Sequence, residues 1–373
     1  MKNKSILQSL LIGVFVVLAF ALATRSALAQ TPQTHWTNLG APNPDWFLGH
    51  NWDNGVPDSL TDAYINRKTA LINTNGGGLG ATARTLYLGF SQGDSGTVQV
   101  DGYLNYLGIF PDCANNAPGD IYVGYRGSGN LAITNQGTVL TTHGYIAALQ
   151  NPTRPNSHGT VKIANSIWHL KPECGSSAGV YIGCTAPCTP TSGQGGTGLL
   201  DFDSSSTLEV EGNSVDAPSV NVGLSGTLTG SGFVYLLFGS TQLSETVNLL
   251  GTLAPAGALT IHGNLTFYGK ATTTFNVTPQ ASDSVYVCGN ASSCGVDDPL
   301  AGNATLDGRV SVTISGNLTP GATIVLLHAA ASLNGTKFGS ESIKYPANQC
   351  YFPEIQYDYN LNNVNLYLKP TCD

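Results

Sequence analysis

Charge is scarce in this 373-residue chain. Asp, Glu, Lys and Arg make up 10% of it, and 15 basic residues face 23 acidic ones, for a net charge of −8. A nucleic-acid binder needs a basic patch, and so few Lys and Arg do not supply one. Yet 41% of the residues are hydrophobic, which excludes a disordered polyelectrolyte. Methionine occurs once, as the initiator. Runs of Ala, Leu, Glu, Lys and Arg, the strong helix formers, are missing, which argues against a helical bundle or coiled coil. Past the N-terminus no apolar run approaches the roughly 20 residues that a membrane-spanning helix requires.

The N-terminus has its own character. Lys2 and Lys4 are basic, Leu10 to Leu22 is apolar, and Ala27-Leu28-Ala29 forms an A-x-A site before Gln30. Residues 1–29 read as a secretory signal. Its removal leaves no transmembrane segment and a more acidic chain. All 8 cysteines follow it: Cys113, Cys174, Cys184, Cys188, Cys288, Cys294, Cys350 and Cys372. An even count in an exported chain points to disulfides. Cys288 with Cys294 and Cys350 with Cys372 are short-range candidates. Cys174, Cys184 and Cys188 are close enough to exchange partners, with one left to reach Cys113. Cys184-x-x-x-Cys188 has zinc-finger-like spacing, but no second ligand pair follows.

What the chain has in abundance is glycine, 45 residues, about twice the usual share of roughly 7%. Between the glycines lie short runs rich in β-branched and aromatic residues: LYLGF (86–90), TVQV (97–100), DIYVGY (120–125), LAIT (131–134), TVKIA (160–164), GVYIG (179–183) and LLDF (199–202). These are strands bounded by turn formers, so the fold class is all-β. The runs also repeat. An aromatic-led strand ends in Gly, a Gly/Ser turn follows, and then a second strand. Gly89, Gly124, Gly183 and Gly223 anchor the copies, and a looser copy begins at Tyr145. Propeller blades need four strands each, in the commonest type about 40–45 residues. Here a unit offers two or three strands and tolerates inserts, which predicts stacked coils of a β-solenoid. Some ten coils would build a rod roughly 50 Å long.

A solenoid needs its ends covered, because open strand edges invite aggregation. Residues 30–66 hold three of the 4 tryptophans, Trp36, Trp46 and Trp52, and read as an N-terminal cap. Residues 67–304 carry the coils. Residues 305–373 end in EIQYDYN and VNLYLKP, a closing antiparallel pair.

The segment HW…DW…NWDNGVPDSLTDAYI (35–65) resembles the start of autotransporter-type passenger domains. GTLTGSGFV (226–234), NLLGTLAPAG (248–257), LTIHGNLTF (259–267), DSVYV (283–287), ATLDGRVSVTI (304–314) and LTPGATIVLLHAAASLNGTKF (318–338) resemble the later coils of that family, in order. The resemblance implies a right-handed, single-stranded parallel β-helix, secreted or displayed at a Gram-negative surface. The sequence departs from the family in two ways. No translocator barrel of alternating strands follows the coils, and the cysteine count is high for a passenger. Together these predict folding in the periplasm or export by another machine.

Motifs for chemistry are few. Gly175-Ser176-Ser177-Ala178-Gly179 fits G-x-S-x-G, but a strand follows where a nucleophile elbow needs a helix. Gly193-Gln194-Gly195-Gly196-Thr197-Gly198 fits G-x-G-x-x-G, but LLDFD follows where a phosphate cradle needs a helix N-terminus. The strongest catalytic candidates lie in LLDFDSSSTLEVEG. Asp201 and Asp203 would share one strand face, as would Glu209 and Glu211, and paired carboxylates serve glycoside cleavage or Ca²⁺. The competing reading is a solvated acidic ridge. Asp283, Asp297 and Asp298 are weak calcium candidates, and turn roles explain Asp283 equally well. His143, His158 and His169 lack ligand spacing and read as surface or turn residues. Tyr87, Tyr103, Tyr106, Tyr122, Tyr125, Tyr145 and Tyr181 recur near strand starts. They fit either an exposed contact stripe or, preferably, a buried aromatic stack inside or between coils. Six N-x-S/T sequons, from Asn264 to Asn334, read as turns. No cofactor is implied. The sequence thus predicts a non-catalytic exported β-solenoid for adhesion or envelope structure, meeting a glycan, a cell-surface protein or itself. Polysaccharide cleavage and a self-assembling fibre are the alternatives.

Overall fold

Alternation along the chain dictates the elements. In Ser95–Asp101, Val98 and Val100 are buried while Thr97, Gln99 and Asp101 face outward. Ser128–Thr134, His158–Ala164 and Thr197–Phe202 alternate in the same way. A period of two is the pleat of a strand with one dry side. The computed structural model describes residues 31–40, 42–73, 80–113, 119–147, 157–173, 175, 177–184, 188, 195–212, 217–237, 245–289 and 302–372. The chain divides into two units, Met1–Pro32 and Gln33–Asp373, and the strands belong to the second. The signal-like residues 1–29, and Cys174, Cys294, Asp297 and Asp298, lie outside the described residues. No helix among the described residues is long and apolar enough to cross a membrane.

Among the described residues the strands form three sheets of ten, ten and eleven. The chain visits them in rotation. Asp62–Ile65 lies on the first face, Arg67–Ile72 on the second and Ala81–Ala83 on the third, and Thr85–Leu88 returns to the first. Each strand pairs in parallel with the strand one coil later, as Tyr87↔Tyr122, Val98↔Leu131 and Trp168↔Leu208 show. This is an all-β parallel β-helix, with the right-handed sense that parallel crossovers adopt. Coils of unequal length keep this register. Asn248 pairs with Thr266 across a short coil, and Asn221 with Tyr181 across a long one.

Inward columns fill the interior. On the first face they run Leu86, Ile121, Gly144, Val180, Val220 and Val247. Gly144 interrupts the aliphatic series because the Trp168 ring, fully buried on the third face, occupies the space a Cβ would need. The second face gives Val98, Leu131, Val161, Leu200, Leu228, Leu253, Thr273 and Val310. Turning from the first face to the second calls for a left-handed residue. Gly89, Gly124 and Gly183 supply it, with φ of 66°, 77° and 64°, and Ala147 takes the same place at 50°. Each donates its N–H to the preceding coil, Gly124 to Leu88 O at 2.8 Å and Ala147 to Val123 O at 2.8 Å. Ala147 is therefore the anchor of the looser copy.

The N-terminal cap works through tryptophan. Trp36, Trp46 and Trp52 are buried, and Trp52 meets the other two edge-on at 5.0 and 4.8 Å. Trp46 N–H donates to Leu71 O at 2.9 Å and Leu71 N–H to Pro44 O at 2.8 Å, so the cap covers part of the first second-face strand. At the far end Tyr351–Asp358 and Asn363–Pro370 pair antiparallel, and the latter adds antiparallel to Thr323–Ala329. A Cys350–Cys372 disulfide joins the ends of this hairpin. Cys184–Cys188 is a second disulfide, which turns the zinc-like spacing into a covalent loop, and Cys113 and Cys288 are disulfide-bonded as well.

Thr273 is the one polar member of its inward column. It is fully buried between Leu253 and Val310, and its hydroxyl has no hydrogen-bond partner. An unpartnered buried hydroxyl is destabilising. Thr273→Val should therefore raise the unfolding free energy by about 1 kcal/mol, read as a higher denaturant midpoint with an unchanged slope.

Candidate functional site

Regular stacking puts equivalent residues of successive coils side by side, so outward positions become columns. On the first face one column is His35, Tyr64, Tyr87, Tyr122, Tyr145 and Tyr181. The rings stack face to face, with centroids 4.7–5.2 Å apart and planes within 21° of parallel. Phe90 and Tyr125 form a shorter stack beside them, meeting Tyr87 edge-on at 5.3 Å. The stack runs between coils, the second of the two places expected for it, on their outer side, with Tyr64 buried and the later tyrosines half-buried. Tyr103 stands apart on a turn and is exposed.

Beside the tyrosines lie two buried carboxylates. Asp62 accepts a two-pronged ion pair from Arg84, Nε–Oδ1 2.9 Å and Nη2–Oδ2 2.7 Å. Asp120 accepts from His143 Nδ1 at 2.8 Å and from the Tyr122 hydroxyl at 3.0 Å. Burial, then the Asp62 charge, pushes the Tyr64 phenol up to about 12, against an opposing pull from Arg84. Burial also raises Tyr87, Tyr122, Tyr145 and Tyr181, with Asp120 adding to the effect at each.

The sequence candidates part company. Asp201 faces out from the second face, in register with Lys162. The strand ends at Phe202, so Asp203 enters the corner and does not share a face with Asp201. Its carboxylate accepts from the Ser206 hydroxyl at 2.6 Å, the Asn165 N–H at 3.1 Å and the Ser205 N–H at 3.1 Å. Burial there opposes ionisation, but these donors outweigh it and hold Asp203 below the usual carboxylate range. It is a turn clamp. Glu209 and Glu211 do share a side, the third face. There the fold adds a residue read from sequence as surface or turn. His169 Nε2 donates to Glu211 at 2.7 Å, and its Nδ1 lies 3.8 Å from Glu209. The four carboxylates therefore divide over two faces and a corner, and only the glutamates converge.

Asp283 is also a clamp. It accepts from Gly257 N–H at 2.8 Å and Asn276 N–H at 2.7 Å, joining turns of successive coils. No metal-binding group of His, Cys, Asp and Glu occurs among the described residues. The G-x-S-x-G match leads into the strand Gly179–Ile182 and the G-x-G-x-x-G match into Thr197–Phe202, so neither has the helix its chemistry requires. A recess between Thr278–Ser282 and Asn317–Ile324 holds no charged side chain among its lining residues.

The third face also carries Ile167 and Phe233, 39% and 36% exposed, in one column on either side of Thr207. No protein-family model matches the chain, and no curated protein matches it in sequence.

The ladder makes a spectroscopic prediction. Ordinary phenols ionise near pH 10, and the raised values mean that the folded chain keeps protons the unfolded chain releases. That contribution to stability is fully present below pH 10 and is lost as pH rises toward 12 and above. Absorbance titration near 295 nm should show part of the tyrosine population ionising only above pH 10, together with loss of the fold. Complete ionisation centred at pH 10 with the fold intact would contradict the buried ladder.

Proposed function

We propose that this protein is an exported, non-catalytic β-solenoid that acts as a contact module, in adhesion or in cell-envelope structure. The carrying observation is the set of outward columns, repeated coil after coil in strict register, which on the third face keep partly exposed apolar and acidic groups side by side. Repeated shallow contacts on a rigid face suit multivalent attachment. The disulfides suit an oxidising compartment, and the signal-like residues 1–29 and the passenger-like segments at 35–65 and 226–338 point the same way. The extracellular or outer-surface location belongs to this reading.

Polysaccharide cleavage retains one specific support, the convergence of His169 with Glu209 and Glu211. The two readings separate in one experiment. The purified protein is incubated with intact bacterial and host cells and with polysaccharides, and both retention and new reducing ends are measured. Saturable retention that survives Asp201→Ala, with no new reducing ends, is the expected result. Reducing ends that vanish in Glu209→Gln would replace the contact role with cleavage.

A further inference from the structure

We propose that the third face holds a binding slot for one unit of a neutral saccharide, walled by Ile167 and Phe233, floored by Thr207 and closed at one end by His169, Glu209 and Glu211. This rests on the contact role above and gives it a location and a ligand class.

The slot follows from the register. Ile167 pairs with Thr207 and Thr207 with Phe233, so the two apolar side chains stand two coils apart in one outward column. At about 4.8 Å per coil their backbones are roughly 9.6 Å apart. Thr207 between them is short, so the space above it is open. The orientation of the Phe233 ring follows from its neighbours. Tyr235 stacks on His262 of the next coil, with centroids 4.3 Å apart and planes within 11°. That stacking aims the Tyr235 ring normal along the solenoid axis. Phe233 lies within 16° of Tyr235. Its ring therefore stands on edge, with one flat side turned across Thr207 toward Ile167. An aromatic plane facing an aliphatic wall suits the apolar faces of a sugar ring.

The next outward column supplies the polar end. His169, Glu209 and Tyr235 are in register there, and Glu211 extends the strand beyond Glu209. The carboxylates are acceptors for sugar hydroxyls. His169 already ties up one Glu211 oxygen and fixes that side chain in place. Two carboxylates at the slot disfavour an acidic sugar. His169 occupies one oxygen of Glu211 and lies beside Glu209, and the remaining carboxylate oxygens accept hydrogen bonds from uncharged hydroxyl donors. Neutral saccharide is the class that remains.

Calorimetric titration tests the assignment. The full protein is titrated with neutral tetrasaccharides of glucose, N-acetylglucosamine, galactose and mannose, and with an oligogalacturonate as the acidic comparison. At least one neutral tetrasaccharide should bind, and the acidic one should not. Phe233→Ala and Glu209→Gln should each weaken binding at least tenfold, with the thermal midpoint retained because both side chains are partly exposed. Tyr103→Ala, an exposed tyrosine elsewhere, should change nothing. Binding of a neutral glycan that both slot variants leave intact would overturn the slot while the contact role stands. So would cell attachment with no glycan bound. Preference for the acidic oligosaccharide would overturn the ligand class.

Discussion

Parallel pairing of each strand with its counterpart one coil later is the constraint on which the rest of this molecule depends. It fixes which side chains point in, and it places every side chain beside its equivalent above and below. Inward, the consequence is dry columns such as Leu86, Ile121, Val180, Val220 and Val247. Burying each such side chain contributes about 1.5–3 kcal/mol, offset by the cost of ordering the chain. Outward, the same register turns one tyrosine per coil into a ladder. It also sets Asn248 Nδ2 against Asn221 Oδ1 at 3.0 Å, where the aromatic column gives way to asparagine. A slip of one residue on any strand would invert its two sides at once. The corner residues with left-handed φ hold the register against that slip.

Much of this was legible from sequence. Glycine spacing carried the register: Gly89 to Gly124 spans the same distance as Tyr87 to Tyr122, and Gly183 to Gly223 the same as His169 to Glu209. The second of these relations contains the His169–Glu209 neighbourhood. No local ligand spacing reveals it, because a solenoid brings residues together at one coil's length. Ala147 escaped for a different reason. An alanine seldom takes a left-handed φ, and only the pairing of Tyr145 with Tyr122 and Tyr181 identifies its place. Asp201 and Asp203 looked like neighbours on one face because nothing local marks the strand's end at Phe202; the end is set by the Ser206 and Asn165 donors that capture Asp203. The capping tryptophans were recognisable by composition alone, since large rings amid Pro, Asn and Gly have little else to bury against than a coil end.

The acidic residues show how a fold sorts chemistry. Asp203 and Asp283 hold turns, Asp62 and Asp120 hold Arg84 and His143 beside the tyrosines, and Glu209 and Glu211 remain on an open face. The first face is consequently a packed aromatic and ionic surface whose ring faces are occupied by one another. The third face keeps partly exposed apolar and acidic groups available. The proposed contact role therefore draws on the third face, whose apolar and acidic groups are not covered by one another in this way.

Distances along one outward column test the coil-on-coil account most directly. Thr97, Leu199, Thr252 and Arg309 belong to a single second-face column, and Leu199, Thr252 and Arg309 lie three, five and seven coils beyond Thr97. Pulsed electron-spin resonance between labels at Thr97 and each of the others, attached through non-natural residues to spare the disulfides, should give separations near ~14, ~24 and ~34 Å. Growth in proportion to the number of coils would uphold the stacked helix. Separations that level off or turn back, as radial blades or a two-layer sandwich would produce, would contradict it.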